Sequence, residues 1–203
     1  MLKRQYLANG GEGKSNIVNL RTQEEVVPED FVYLSQSMYM NNHAYAVVAV
    51  ELKRACVVDM HTGKYMTDAV YSDVEATYTS GFVMRRTDGT YDIFDGNCKT
   101  IVDKVNWQDA CGPNLIEVHK NNKFNVVNVE TGKIIMPVWI PSNVHHYIVT
   151  RNDSIGSFHH TKPGIYVTKQ DLDDNGNLVT MKQIYIDFDG NVDIAEDNPF
   201  EED

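Results

Sequence analysis

The chain has 203 residues, 42% of them hydrophobic, and carries 29 acidic against 18 basic side chains for a formal charge of −11. Such a balance argues against a duplex nucleic-acid binder, because phosphate contacts need a basic surface. Three cysteines, Cys56, Cys98 and Cys111, without a Cys-x-x-Cys spacing, suit neither a disulfide scaffold nor a thiolate zinc site. They read as small buried hydrophobes of a reducing compartment, with Cys56 and Cys98 in strands.

Met1 to Gly10 includes basic residues, but no apolar segment of signal-peptide length follows and no run approaches a membrane span. The expected location is cytoplasmic or virion-associated, without membrane insertion. Ala8 to Ser15, Ala-Asn-Gly-Gly-Glu-Gly-Lys-Ser, has the outline of a phosphate-binding loop with Ala8 in place of its first glycine. That loop must run into a helix N-terminus, whereas the repeats described below make Ser15 to Leu20 a strand. Pro28 to Met40 is compatible with one helix begun near Pro28 or with a connecting strand, and the strand is favoured. Ala44 to Leu52, Ala-Tyr-Ala-Val-Val-Ala-Val-Glu-Leu, is an apolar run of the kind buried on both faces of a sheet. From there to Val149, short strands recur about every 8 to 12 residues between Gly, Asp and Asn, which is an all-β pattern.

Lys123 to Pro137, Lys-Phe-Asn-Val-Val-Asn-Val-Glu-Thr-Gly-Lys-Ile-Ile-Met-Pro, is the clearest hairpin. Phe124, Val126 and Val127 suit a pleated surface, Thr131-Gly132 supplies a left-handed turn position, and Pro137 ends the ladder. The same phrase recurs at Lys14 to Pro28, 123 − 14 = 109 positions earlier, where Lys14, Asn16, Val18, Asn19, Thr22 and Pro28 are identical to their counterparts. Shorter copies lie at Arg54 to Lys64, Tyr91 to Asn97 and Ile184 to Asn191. The Asn or Asp closing each first strand falls at 19, 59, 95, 128 and 187, so the intervals are 40, 36, 33 and 59. Repeats of this period bury their apolar faces against neighbouring repeats. We therefore expect one all-β domain over 1–192, made of antiparallel hairpin units near 14–40, 44–75, 80–108, 114–145 and 146–192. The period fits a small five-bladed β-propeller, with an open β-solenoid or packed meanders as alternatives.

Lys123-Phe124-Asn125-Val126-Val127-Asn128, followed by Thr131-Gly132-Lys133 and Pro137, resembles the WG-type β-repeats of bacterial and phage proteins. No unit here carries the Trp-Gly pair itself. Such repeats share no catalytic residues, so the resemblance implies an interaction role.

His145-His146 and His159-His160 are the candidate metal ligands. A two-residue turn at Asn152-Asp153 would set His145 opposite His160 and His146 opposite His159, close enough to share an ion. Ordinary strand histidines are the competing reading. Asp171 to Asn177 has the oxygen spacing that begins a calcium loop but lacks the closing carboxylate, and Asp187 to Gly190 is shorter still; both are simpler as turns. Trp107 and Trp139 are candidates for a sugar-binding surface or for the core. No nucleophile elbow or His-Glu-x-x-His is present. The end of the chain from Asp193 is acidic around a lone Pro-Phe. It reads as a solvated tail, or as a docking peptide in which Pro199, Phe200, Glu201, Glu202 and Asp203 bind a basic, apolar pocket of a partner.

The sequence thus points to a non-enzymatic structural or adaptor protein that acts through protein–protein contacts and needs no cofactor. Its Asn- and Tyr-rich composition suits an AT-rich genome, that of a phage or a gut bacterium, and a phage particle is the expected setting of a structural role. The alternative is a soluble module that recognises a glycan or a host protein; a metal-dependent enzyme using the histidines is a third reading.

Overall fold

The computed structural model describes residues 6–11, 14–27, 31–150, 162–172 and 178–197. Among them there is no helix, so none is long and apolar enough to cross a membrane. The strands are all antiparallel and form consecutive meanders. β1 (Tyr6–Gly11) pairs with β2 (Lys14–Asn19). β3 (Tyr33–Met40), β4 (His43–Glu51) and β5 (Arg54–Asp59) follow. β6 (Tyr71–Tyr78), β7 (Gly81–Arg86), β8 (Tyr91–Asp95) and β9 (Thr100–Val105) continue the same sheet, joined to β5 only through Ala55 opposite Tyr71. A third sheet holds β10 (Trp107–Gly112), β11 (Leu115–Lys120), β12 (Lys123–Asn128), β13 (Lys133–Ile134) and β14 (Ile140–Pro141). A fourth holds β15 (His145–Val149), β16 (Gly164–Leu172), β17 (Leu178–Ile186) and β18 (Val192–Asp197).

The all-β hairpin architecture is therefore the one the strand pattern predicts. Meanders open at Tyr33, Tyr71, Trp107 and His145, so their period is 71 − 33 = 38, 107 − 71 = 36 and 145 − 107 = 38. The first three open one strand earlier than the units expected from 44, 80 and 114, because β3 pairs with β4 rather than closing the unit before it, while the fourth opens at His145, beside the expected 146. The chain divides into two compact units. The first runs up to Trp107 and takes in Val129–Gly132; the second comprises Gln108–Asn128 and the described residues from Lys133 onward. Local division of this kind is natural where a meander buries its face on its sequence neighbour.

Period-two alternation explains the cores. On β4, Tyr45 and Val47 enter one apolar cluster with Met84 and Phe94, while Ala46 and Val48 enter another with Ile17 and Phe31. The strand is thus buried on both faces, as its unbroken apolar run predicts. In the second unit Leu115, Phe124, Val126, Ile165 and Ile186 form a separate core.

The recurring Asn or Asp has a single structural job. Asn19 Oδ1 accepts from the amides of Arg21 (3.0 Å) and Thr22 (3.4 Å), and Asp59 Oδ1 from those of His61 (2.7 Å) and Thr62 (3.0 Å). Asp95 does the same for Asn97 and Lys99, and Asp187 for Asp189 and Asn191. These are Asx turns, closed by a left-handed residue. That residue is Gln23 (φ 60°), Gly63 (φ 71°) or Gly132 (φ 67°) four positions on, and Cys98 (φ 63°) or Gly190 (φ 90°) three positions on in the short turns. Cys98 is therefore a buried turn residue and not a strand residue.

Three further expectations meet the structure here. Lys14 to Asn19 is a strand, so the phosphate-loop outline has no helix to serve it. Asp187 is spent on its turn rather than on a calcium loop; residues 173–177 of the other calcium-like stretch lie outside the described residues. The acidic end is no free tail as far as Asp197, because β18 pairs with β17 with Ile194 opposite Ile184. Pro199, Phe200, Glu201, Glu202 and Asp203 lie outside the described residues.

Candidate functional site

Two polar networks are built into the sheets. The first repeats with the hairpins. Three residues before the Asx position stands a clamp that reaches across to the returning chain. In the first unit it is Asn16, whose Nδ2 donates to Val27 O (3.0 Å) and whose Oδ1 accepts from the amides of Ile17 (2.7 Å) and Val27 (3.3 Å). In the second unit Asn125, with no exposed surface, donates to Met136 O (3.1 Å) and accepts from the amides of Val126 (2.8 Å) and Met136 (3.0 Å). Met136 lies 136 − 27 = 109 positions after Val27, the same offset as the repeat. The short hairpin uses Asp92, whose Oδ1 accepts from the Lys104 amide (2.8 Å) and whose Oδ2 takes Arg86 Nη1 and the Tyr71 hydroxyl, both at 2.7 Å. Burial and this bond to the Asp92 carboxylate keep the Tyr71 hydroxyl protonated far above its ordinary range. Sequence reasoning saw the identity of Asn16 and Asn125 but gave it no role; their matching offset was the available signal.

The second network is the strongest candidate for chemistry and lies wholly in the second unit. Leu115, Glu117 and His119 share one face of β11, with Leu115 in the core and the two polar residues beyond it. The turn at Asn121-Asn122 has both residues left-handed (φ 53° and 58°), as a tight hairpin requires, and brings Phe124 opposite His119. β14 returns beside Phe124, and the Ser142 amide then donates to Asn122 O (2.9 Å). His146 follows on β15. Its Nε2 meets Glu117 Oε1 at 3.2 Å, and His119 Nε2 meets the same oxygen at 2.6 Å. The other ring nitrogens are also held: His119 Nδ1 by Ser142 Oγ (3.0 Å) and His146 Nδ1 by Val144 O (3.0 Å). The His146 ring stacks on Phe124, with centroids 3.6 Å apart and planes 15° off parallel.

Burial alone would raise the Glu117 carboxyl, but hydrogen bonds from His146 and His119 outweigh it and hold the group below its ordinary value. Burial likewise works against a charged His146, yet the bonds to Glu117 and Val144 O raise it above the usual imidazole value. Cys111 nearby is pushed up to about 12, first by burial and then by the Glu117 charge, so it is a thiol and not a nucleophile.

Ser142, His119 and Glu117 have the connectivity of a nucleophile–base–acid triad, but catalysis also needs donors for the developing oxyanion. The amides of Ser142 and Val144 are spent on Asn122 O and Pro141 O. Nor does the arrangement suit a metal. Both ring nitrogens of His146 and of His119 are engaged by protein groups, and no group of three or more His, Cys, Asp or Glu among the described residues is placed to hold an ion.

The expected pairing of histidines is not formed on β15. Its partner strand is β16, with His145 opposite Thr168 and His146 opposite Val167, because the pairing closes at Val149 opposite Gly164 rather than around Asn152-Asp153. His159 and His160 lie outside the described residues. His145 is exposed, and His146 joins residues the sequence had not connected to it. Trp107 is 46% exposed at the start of β10, whereas Trp139 is half-buried.

No protein-family model and no curated protein matches the chain. Among solved structures it overlaps the computationally designed Ika8 protein at 13% identity and a TM-score of 0.34, covering 97% of this chain and 70% of that one. It overlaps a eukaryotic initiation factor at 9% identity and a TM-score of 0.36, covering 100% of this chain and 54% of that one. For the WD40 β-propeller domain of Doa1 the values are 14% and 0.28, with 95% of this chain and 75% of that one covered. The chain thus spans between about half and three quarters of the length of these proteins. At such scores the likenesses carry no argument about sheet arrangement or function.

Proposed function

We propose that the chain is a non-enzymatic structural or adaptor protein that works through protein–protein contacts. One observation supports this above others: the side chains that resemble chemistry in the sequence are occupied in holding the fold. Asn19, Asp59, Asp95 and Asp187 cap turns, Asn16, Asp92 and Asn125 clamp strands, and the three thiols are buried or half-buried and strongly protonated. The surface is left for recognition, and a formal charge of −11 favours a basic partner face over nucleic acid. Its setting would be an assembly of several chains, and a phage particle is the one that the Asn- and Tyr-rich composition suits.

The test compares the full chain with one ending at Asp197 by light scattering coupled to gel filtration, so that β18 is kept and the segment around Phe200 is lost. A defined oligomer that dissociates on truncation supports assembly through that segment. Monomers in both cases, together with saturable binding on a glycan array, would replace this reading by that of a soluble glycan-recognition module.

A further inference from the structure

Hydrogen-bond chemistry fixes the charge of one half-buried residue in the Glu117 network. Val144 O can only accept, so His146 Nδ1 must carry a proton. An ionised Glu117 oxygen also can only accept, so His146 Nε2 must carry one too. An imidazole protonated at both nitrogens is a cation, here with 15% of its side chain exposed and Phe124 stacked on its face. Glu117 lies on β11, while His146 lies on β15 of the neighbouring sheet. The pair therefore bridges the two sheets of the second unit, beside the core they share.

We propose that Glu117, His119 and His146 form a proton-operated clasp between these sheets, shut while His146 holds both ring protons and slackened when it releases one. On losing a proton His146 keeps one donor for two acceptors. It must then abandon Glu117 or the Val144 carbonyl, leaving a half-buried acceptor unmatched. Among the described residues no lysine or arginine pairs with Glu117 or His146, whose recorded charged partners are each other and His119. β10 presents the Cys111 thiol, with Asp109 near it. β12 presents Phe124, the connecting loop Ser142, and β16 places Val167 opposite His146. His145 and Tyr147 flank His146 on the other face of β15. His119 remains as the second donor to the same Glu117 oxygen.

The sign of the pH dependence follows from the two shifts. His146 is raised in the folded chain, so its contribution is complete below the ordinary imidazole value and disappears as pH rises through the folded one. Glu117 is lowered, so its contribution is present above the ordinary carboxyl value and disappears as pH falls through the folded one. The clasp is therefore tightest between the depressed Glu117 value and the elevated His146 value, and it opens as pH rises through the elevated His146 value.

Proton NMR titration of the histidines in the full chain tests this without any substitution. The expected result is a His146 midpoint above that of an unperturbed imidazole, with the protection of amides on β11 and β15, taken relative to intrinsic exchange at each pH, falling in a step as pH passes through it. In E117Q the midpoint should drop by about one pH unit or more, as expected on removing an opposing charge in contact, and the exchange step should vanish. A wild-type His146 midpoint at or below that of a free imidazole would overturn the proposal. So would protection on β11 and β15, taken relative to intrinsic exchange at each pH, that stays constant through the midpoint.

Discussion

The clamp at Asn125 offers the most direct test of the fold's logic. Replacing it with alanine removes the donor to Met136 O and the acceptor for the Met136 amide, in a position with no exposed surface. Each buried backbone group left unmatched costs about 1–3 kcal/mol. With some relief from relaxation, N125A should lose about 3 kcal/mol, which for a chain of 203 residues is a fall in Tm of about 6–12 °C. N125D should be worse than N125A. It keeps the acceptor but sets a buried carboxylate against the carbonyls of Met136 and Val138. Thermal unfolding followed by far-UV circular dichroism, with the exposed Asn143→Ala as control, measures both. If N125A falls within about 0.5 kcal/mol of that control, the size expected for a neutral surface change, Asn125 is not a clamp. An N125D protein as stable as the native chain would remove the carbonyl argument.

Other consequences follow from the same geometry. D92N should lose about 3–5 kcal/mol, the cost of breaking a buried ion pair, because its new amide would face Arg86 Nη1 and the Tyr71 hydroxyl with donors; a double-mutant cycle with R86Q should show strong coupling. G132A should cost about 1 kcal/mol for its left-handed φ alone, since an added Cβ meets nothing closer than Asp95 Oδ2 at 3.5 Å. G63A should cost at least twice that, because its Cβ would overlap the Val26 carbonyl oxygen. Ellman's reagent at pH 8 should find almost no fast thiol in the native chain and three after denaturation. Burial pushes Cys56 to about 11 and both Cys98 and Cys111 to about 12, which leaves roughly a thousandth or less as thiolate.

Local chemistry made much of the architecture legible. Gly132, Thr131 and Pro137 mark a hairpin through rules that act within a few residues, and the unbroken run over Tyr45–Ala49 marks a doubly buried strand. Strand pairing across longer loops was not legible. The register of β15 depends on how many residues the turn spends before β16 begins, and Asn152-Asp153 is a turn signal only if the strands meet there. Sequence reasoning therefore found His146 but joined it to His159, when its partner Glu117 lies 146 − 117 = 29 positions earlier on another sheet. His119 carried no motif at all. Its two-residue spacing from Glu117 says only that they share a face, not that a histidine from the next sheet will meet them.

Position for position, the repeat shows why polar residues in such a chain are poor guides to activity. Asn16, Asp92 and Asn125 occupy equivalent places, and each bonds a backbone amide on the returning chain. What differs is the group facing the second polar atom. Where it is a carbonyl, as at Val27 and Met136, the residue is an amide that can donate. Where it is the Arg86 guanidinium and the Tyr71 hydroxyl, the residue is a carboxylate that can accept. A buried, paired aspartate with a strongly shifted tyrosine beside it has the outward marks of a reactive centre. The repeat identifies it instead as one clamp among several, altered in chemistry to match its neighbours. Where hairpins recur, a polar residue is first to be compared with its counterparts, and only one without an equivalent role elsewhere stands out. By that criterion the Glu117, His119 and His146 cluster stands out and the Asp92 network does not.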